Sequence, residues 1–321
     1  MWVVPDNGPL ADADGGKGAA VDRTADVRIV SDESGEPGLI AVVRLSLSDK
    51  LAEDEVWQEH FDVHLKWLPD NIQRICGYGF TEILNNAIDH SGGSTVLCWA
   101  NIEANAVVLA IADDGIGIFE KLKLHFALDD HRHAILELSK GKLTTDKARH
   151  TGEGIFFTSR MFDDFFILAN HLGFSHSADG DWLIEVKPKE DPGTHVSMSI
   201  DIGSKRTTKE VFDMFADPSS DDLTFSKTHV PVVLARHGSN ELISRSEAKR
   251  VLSRFEGFKE VLLDFAGIEW IGPAFADEIF RVFHLANPEI RIAYVRASES
   301  VKQMIDRAIA GAACPPNRGE L

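Results

Sequence analysis

The segment "GFTEILNNAIDHSGG" (residues 79–93) constrains the fold most, because it combines an apolar helical stripe with a run of polar side chains. The apolar residues recur at spacings of three and four, which predicts a helix packed on a core. They are Phe80, Ile83, Leu84, Ala87 and Ile88. The polar residues include asparagine and aspartate, which weaken helix interiors by competing for backbone hydrogen bonds. A helix that keeps such residues favours a polar site next to a core.

Composition narrows the classes of protein that the chain can belong to. Its 321 residues suffice for two ordinary domains. With 51 acidic and 33 basic residues, the net charge is −18, which does not favour nucleic acid or an anionic membrane as partner. No apolar run reaches the roughly 18 residues of a membrane span, and the N-terminus lacks the pattern of a signal peptide. Three distant cysteines indicate reduced thiols, so a cytoplasmic location is expected.

The hydrophobic pattern changes along the chain and predicts two domains. The first part mixes strands with helices near 48–68, 70–90, 131–139 and 154–166. From residue 229 strands alternate with helices, which predicts a small α/β unit. The predicted boundaries are a flexible tail at 1–25, a β-hairpin leader at 26–48, a first domain at 49–202, a linker or connecting helix at 203–228, a second domain at 229–313 and a C-terminal tail at 314–321.

Glu82 and Asn86 lie four residues apart, so the helical spacing places them on one face. A carboxylate beside a carboxamide can orient a water molecule and offer an oxygen ligand to Mg²⁺, which prefers few protein oxygens together with phosphates and waters. A solvated helix face is the alternative when this pair is considered alone.

The stretch "IADDGIGI" (111–118) runs a strand into Asp113, Gly115 and Gly117. Glycines after a strand permit a tight turn and the close approach of a flat ligand to the backbone. The carboxylate of Asp113 only accepts hydrogen bonds, which suits an exocyclic amine such as that of adenine. An ordinary Asp-Gly turn gives the same pattern.

A second glycine-rich stretch, "HTGEGIFFTSRMF" (150–162), places Gly152 and Gly154 before a helix. Free backbone N–H groups and the helix dipole at such a start favour anions. The preceding stretch is basic in an acidic chain, which is typical of a mobile lid over phosphates. Its cations are Lys140, Lys142, Lys147 and Arg149. Further on, "PGTHVSMSI" (192–200) begins a strand at Thr194, whose hydroxyl could hold a water against the same adenine edge as Asp113.

These four segments in this order are far more specific than any one of them, and together they resemble the GHKL ATPase superfamily. That superfamily includes type II topoisomerases, sensor histidine kinases, anti-sigma-factor kinases and a chaperone class. The resemblance covers roughly residues 49–202: "TEILNNAIDH" resembles the N box, "DDGIGI" and "TGEGIFF" the two glycine boxes, and "GTHVSMSI" the later Gly-Thr strand. It implies an α+β fold of the Bergerat type, a two-layer α/β sandwich in which helices cover one face of a mixed sheet.

The resemblance also implies a site for ATP and Mg²⁺ between the helices and the sheet. By that likeness Glu82 is the base that activates water, Asn86 the magnesium ligand and Asp113 the adenine acceptor. The implied ATP-binding set is Asn86, Asp113, Gly115, Gly117, Gly152, Gly154 and Thr194, with Lys147, Arg149 and Thr151 as lid or phosphate contacts.

The second domain carries "VLLDFAGIEWIGPAFADEIFRVF" (261–283), which resembles the STAS-like domains called DUF4325 that follow GHKL modules in bacterial regulators. In anti-sigma antagonists of related plan, a phosphorylated serine follows the second strand. Pro273 and Ala274 occupy that stretch here. Phosphorylation of this domain by its own first domain is therefore not expected.

Three functions remain open on this reading. The favoured one is a Mg-ATP-binding protein, a slow ATPase or nucleotide-dependent switch in bacterial signalling, with a protein partner or a second copy of the chain. The alternative is a serine/threonine protein kinase of the anti-sigma type that acts on a separate STAS protein. The third and least favoured function is a histidine kinase. It needs a phosphoacceptor histidine, and His60 and His64 lack the usual His-Glu-Leu-Arg context.

Overall fold

The computed structural model describes residues 25–29, 38–48, 50–145, 151–178, 180–186, 193–217, 225–236 and 242–313. The first unit contains the strands β1 (Ala25–Ile29), β2 (Gly38–Ser46), β3 (Thr95–Glu103), β4 (Ala106–Asp113), β5 (Asp164–Ala169), β6 (Leu172–Ser177), β7 (Gly180–Glu185) and β8 (Thr194–Asp201). Its helices are α1 (Glu53–Trp57), α2 (Val63–Leu65), α3 (Asp70–His90), α4 (Ile118–Phe126), α5 (His131–Lys140), α6 (Gly154–Met161) and α7 (Thr208–Phe215), and a π-helical turn at Gln58–Asp62 joins α1 to α2.

The eight strands form one sheet in the order β1-β2-β3-β4-β8-β5-β6-β7. Alternate residues of β3 and β8 are buried, as expected when helices cover one face of a sheet. The predicted α+β fold and two-layer sandwich are confirmed. In one detail the sheet differs from the expected mixed type, because every described strand pair in it is antiparallel.

Helix α3 packs against the middle strands of the sheet, β4 and β8, and contributes a row of buried residues to the first core. It buries Phe80, Ile83 and Leu84, and the ring of Phe80 lies 4.6 Å from that of Phe61. A side chain at Gly79 would place a Cβ only 2.4 Å from the Phe162 ring. The helix therefore keeps a glycine, despite a cost of roughly 1 kcal/mol against alanine, because a neighbouring ring lies directly against the backbone.

The second unit is a three-stranded parallel sheet in the order β11-β10-β9, flanked by helices. Its elements are β9 (Lys227–Pro231), α8 (Arg245–Leu252), β10 (Glu260–Asp264), α9 (Pro273–Asp277), α10 (His284–Ala286), β11 (Arg291–Val295) and α11 (Glu299–Ala313), with a π-helical turn at Glu278–Phe283 and 3₁₀ turns at Val232–Ala235 and Phe255–Gly257. The predicted strand–helix alternation is confirmed. Ser244 caps the start of α8 and forms a capping box with Glu247.

Several sequence expectations differ from the described elements. The sequence did not predict α4, because 119–150 reads as polar, or β6, whose "LGFSHS" is weakly apolar. The apolar stretch "VPVVLAR" that starts the second predicted domain reads as one strand from its pattern. In the structure, strand β9 starts at Lys227, inside the expected linker, and "VVLA" forms a 3₁₀ turn. The hairpin of β1 and β2 is an edge of the main sheet and not a separate leader, since β2 pairs along its length with β3. The domain boundaries themselves stay predictions, and the two tails lie outside the described residues.

Aromatic side chains hold the two units against each other. Phe225, just before β9, packs 4.6 Å from the Phe156 ring of α6 and 5.4 Å from Phe258 of the second unit. Phe212 of α7 packs 4.6 Å from Phe157. Such pairs add about 0.5–1.5 kcal/mol each to the free energy of area burial. Near one end of the 203–228 stretch, helix α7 packs on α6 through Phe212. Near the other end, Phe225 packs on α6 through its ring.

Candidate functional site

A cavity of about 270 Å³ lies between α3, the end of β4 and the start of α6. The sequence-predicted residues that line it are Glu82, Asn86, Asp113, Thr151, Gly152, Gly154 and Thr194. These residues come from positions more than one hundred residues apart, and the fold brings them to one place. Gly115 and Gly117 do not line it.

Helix α3 supplies one wall through Glu82, Asn85 and Asn86. The Asn86 Nδ2 donates to the backbone carbonyl of Glu82, 2.7 Å away, so this bond uses the amide nitrogen and not the amide oxygen Oδ1. The Glu82 carboxylate lies against the first residue of α6, because a Cβ built on Gly154 would be 1.9 Å from Glu82 Oε2. One helix face therefore places a carboxamide and a carboxylate on the same side of the cavity.

Asp113 ends β4 and lies at the inner edge of the cavity. Its Oδ1 accepts hydrogen bonds from the N–H of Gly115 at 2.8 Å and of Thr194 at 3.3 Å. Burial raises the pKa of Asp113 above its ordinary value, while these hydrogen bonds act in the opposite direction. The Thr194 Oγ1 accepts from the N–H of Ile118 at 3.0 Å. Asp113 and Thr194 are thus held together at the cavity by a backbone and a side-chain hydrogen bond.

The glycines of this loop serve its close packing rather than the cavity surface. A Cβ on Gly115 would lie 2.2 Å from the Ser91 carbonyl oxygen, and Gly117, with φ of +85°, packs against Asn170. Gly193 has φ of +130°, and a Cβ there would lie 2.1 Å from the Asp113 carbonyl oxygen. Gly193 therefore allows the ends of β4 and β8 to approach each other, while Gly115 and Gly117 allow the loop to pack on Ser91 and Asn170.

The rim of the cavity consists of residues 143–145 and 151–152. The N–H of Leu143 donates to the Gly152 carbonyl at 3.1 Å, which joins the two halves of the rim. Gly152 has φ of +72°, and a Cβ on it would lie 2.5 Å from the Leu143 backbone. The predicted phosphate contacts Lys147 and Arg149 lie outside the described residues.

The structure corrects the sequence-based prediction for two basic residues of the lid. Lys140 is fully buried, and its Nζ donates to Glu137 Oε1 at 2.6 Å and to carbonyls of the second unit. Lys142 donates to the Gly257 carbonyl at 2.8 Å and lies over the rings of Phe225 and Phe258. Both cations therefore contact the second unit. Helical spacing and charge could not reveal this, because both partners lie about one hundred residues away in the chain.

Lys121 of α4 is a cavity residue that sequence reasoning missed. Its Nζ donates to the carbonyl of His90, and burial lowers its pKa, with Asp89 opposing that shift. In the sequence, Lys121 is marked only by its place in a polar run after Gly115 and Gly117. That pattern does not distinguish Lys121 from neighbouring cations such as Lys123. Apolar residues complete the cavity; they include Ile83, Ile111, Leu122, Leu138, Ile155 and Val196. A flat apolar group with a polar edge can therefore enter beside Asp113.

The second unit matches a known family. Residues 247–302 match the model of the STAS-like domain of unknown function (DUF4325). The predicted STAS-like domain is confirmed. In this domain Pro273 is the first residue of α9 and Ala274 is the second.

Among solved structures, the chain resembles the 43K ATPase domain of Thermus thermophilus gyrase B in complex with an aminocoumarin. The two are 17% identical, with a TM-score of 0.26, and the match covers 53% of this chain and 43% of that one. This chain thus aligns with less than half of that domain. A comparison with curated proteins gives no match.

Other features of the described residues bear on the remaining expectations. No described helix combines the length and apolarity needed to cross a membrane. The described part of the chain contains no group of three or more His, Cys, Asp or Glu residues arranged to hold a metal ion. Cys76 and Cys98 are buried free thiols, and burial raises the pKa of Cys76 to about 12. Cys314 lies outside the described residues.

Proposed function

We propose that the first unit binds Mg-ATP in this cavity and that the chain works as a slow ATPase or nucleotide-dependent switch. One observation carries the proposal: a single cavity collects Glu82, Asn86, Asp113, Thr194 and the glycine-rich start of α6. An acceptor for an amine, an oxygen ligand and free N–H groups at a helix start are what adenine, a magnesium ion and phosphates require. Apolar side chains between them suit the adenine ring.

Each group has a place in this arrangement. Asp113 accepts from the exocyclic amine of adenine, and Thr194 supports it. The N–H groups at the start of α6 and the Lys121 ammonium lie where the phosphates would extend. The Glu82 carboxylate, beside Gly154, takes the proton from an attacking water.

The donor set also fits magnesium. Mg²⁺ takes one or two protein oxygens and completes its octahedron with phosphates and waters. Asn86, which lines the cavity, would hold it through Oδ1, the amide atom that the hydrogen bond from Nδ2 to Glu82 does not use. When bound, the ion neutralises phosphate charge.

Calorimetry with ATP in the presence and absence of Mg²⁺ tests the proposal. Wild type should bind Mg-ATP, and Asn86→Ala should bind it more weakly without loss of folding, because the side chain faces a cavity and not the core. In excess chelator the two proteins should bind ATP equally. Asn85→Ala is the matched control and should keep the magnesium dependence. Equal Mg-ATP affinity of wild type and Asn86→Ala would remove Asn86 from the role of ligand.

Labelled ATP distinguishes the switch from the alternative of a protein kinase. In the full chain we expect release of labelled phosphate without label on the protein. The reason is that the STAS-like domain has Pro273 and Ala274 where anti-sigma antagonists of related plan carry a phosphorylated serine. Stable label on Ser244 or Ser246 would favour the kinase. Absence of both label and turnover, with ATP still bound, would make the protein a nucleotide sensor.

A further inference from the structure

The STAS-like domain forms hydrogen bonds with the segment that leads into the rim of the cavity. We call residues 137–142, the end of α5 and the next two residues, the junction. Arg254 of the STAS-like domain donates from Nη1 to Glu137 Oε2 at 3.0 Å and from Nη2 to the carbonyl of Gly141. Lys140 Nζ donates to the carbonyls of Arg250 and Ser253, each at 3.0 Å. The second unit therefore holds the junction by side chains and by backbone.

Two further hydrogen bonds join the second unit to the junction. The Thr228 Oγ1 donates to the Lys140 carbonyl at 2.7 Å, and Lys142 Nζ donates to the Gly257 carbonyl at 2.8 Å. At the other end of α5, Arg250 pairs with Asp129 at 3.0 Å and Asp130 at 3.2 Å. Helix α5 is thus fixed at both ends by residues from the second unit.

The junction passes directly into the cavity wall. Leu138 of α5 and residues 143–145 line the cavity, and the Leu143 N–H donates to the Gly152 carbonyl that closes the rim. Only one residue, Lys142, separates the carbonyl held by Arg254 from Leu143. A displacement of the STAS-like domain would therefore reach the rim through two or three peptide units.

Arg254 itself has a costly backbone conformation. Its φ is +64°, in the left-handed region that glycine adopts at no steric cost. The Glu137 side chain that it reaches is 1% exposed, so the pair is largely desolvated. A residue that keeps a long cationic side chain in a strained position points to a role for that side chain.

We propose that the STAS-like domain controls the nucleotide cavity through the Arg254–junction contact, so that nucleotide binding and domain contact are energetically coupled. The inference rests on the proposed function of the cavity. Because coupling is reciprocal, nucleotide binding tightens the contact to the same extent that the contact tightens binding.

The test uses the full chain with Arg254→Gly, which removes the guanidinium and relieves the left-handed backbone. Arg245→Gly, at the first residue of α8, is the control in the same domain, since Arg245 is 61% exposed and contacts Asp277 rather than the junction. We measure Mg-ATP affinity by calorimetry and hydrogen exchange at the Leu143 amide, with amides of α3 as an internal reference for global stability.

We expect Arg254→Gly to lower Mg-ATP affinity by roughly 5- to 150-fold, the usual range of coupling between sites, and to speed exchange at Leu143 but not in α3. Wild-type Mg-ATP should slow exchange in α8. If Arg254→Gly matches wild type in affinity and in Leu143 exchange, the coupling is wrong. Faster exchange throughout α3 would show a purely structural role. Wild type without any ATP affinity would instead overturn the proposed function, and Leu143 exchange would still report whether Arg254 holds the rim.

Discussion

At the scale of single residues, the two neighbouring aspartates of "DDGIG" have different environments. Asp113 points one oxygen at backbone N–H groups and lies at the cavity. Asp114 does not line the cavity. Both of its carboxylate oxygens accept hydrogen bonds, from the backbone N–H groups and the hydroxyls of Ser94 and Thr95 at 2.6–2.9 Å. These bonds lower the pKa of Asp114 although partial burial opposes them. The first aspartate is placed for a ligand, and the second fixes the loop.

This contrast predicts opposite effects of two equivalent substitutions. Asp113→Asn should weaken ATP binding by about 1–3 kcal/mol, because the cavity loses a charged acceptor for an amine. Asp114→Asn should lower the free energy of unfolding and leave ATP affinity nearly unchanged. Competition binding with ATP and GTP, together with urea unfolding, measures both. GTP that competes as well as ATP on wild type would contradict the adenine role.

The affinity for ATP should also depend on pH through Asp113. Burial raises the pKa of this carboxyl, so it takes up a proton at a higher pH than an exposed aspartate with the ordinary value of 3.8. The ionised acceptor is present above the raised pKa and is lost as the pH falls through it. Affinity measured from about pH 7 down to about pH 4.5 should therefore fall more steeply for wild type than for Asp113→Asn. Parallel curves would show that Asp113 does not meet the ligand as a carboxylate.

Glu82 should separate binding from turnover. Glu82→Gln keeps the shape beside Gly154 but cannot accept a proton, and general-base assistance is worth roughly 10²–10⁴ in rate. We expect ATP affinity within a few-fold of wild type and hydrolysis lowered by about that factor, measured by phosphate release. Unchanged hydrolysis would leave Glu82 with a binding or structural role.

At the scale of elements, the site depends on the close approach of the ends of β4 and β8. Gly193→Ala should lower the free energy of unfolding by at least about 1–3 kcal/mol, because φ of +130° is strained for alanine and its Cβ would lie 2.1 Å from the Asp113 carbonyl oxygen. Gly257→Ala is the control, since the space around it is open and its φ is ordinary. Thermal and urea unfolding compare the two. Equal stability would mean that β8 can move away from β4 at little cost.

At the scale of the whole molecule, the two units share a buried ion cluster at the junction. Lys140 is fully buried and Glu137 is 1% exposed, and Arg254 completes the cluster at 27% exposure. Burial raises the pKa of Glu137, but His133, Lys140 and Arg254 outweigh it and lower that pKa overall. Removing one member of such a cluster is costly, because it leaves an uncompensated buried charge.

Lys140 makes the stability of this junction depend on pH. Burial lowers its pKa to about 8, with Glu137 opposing the shift, while the ordinary value is 10.5. Between these values the unfolded chain binds the proton more tightly than the folded chain, so the unfolding free energy rises with pH across that window. Below it the cost of the buried charge is fully present.

Lys140→Met tests this linkage. The difference in unfolding free energy between wild type and variant should move in favour of wild type as the pH rises from about 8 to about 10.5. Lys209→Met, at a side chain that is 80% exposed, should show no such trend. A pH-independent difference for Lys140→Met would mean that the amine is not buried as a cation.

The sequence by itself determined the helix face of Glu82 and Asn86, the strand that ends at Asp113, the two-layer class and the STAS-like domain. The helix face and the strand depend on local spacing, because periodicity and glycines act within one or two turns of chain. The two-layer class and the STAS-like domain followed from the resemblance of whole motifs to known families. Only the tertiary structure decided that Lys140 and Lys142 meet the second unit, that Lys121 lines the cavity, and that the rim is tied to Arg254. Those contacts join residues far apart in the chain, and their partners follow from packing that a local pattern does not contain.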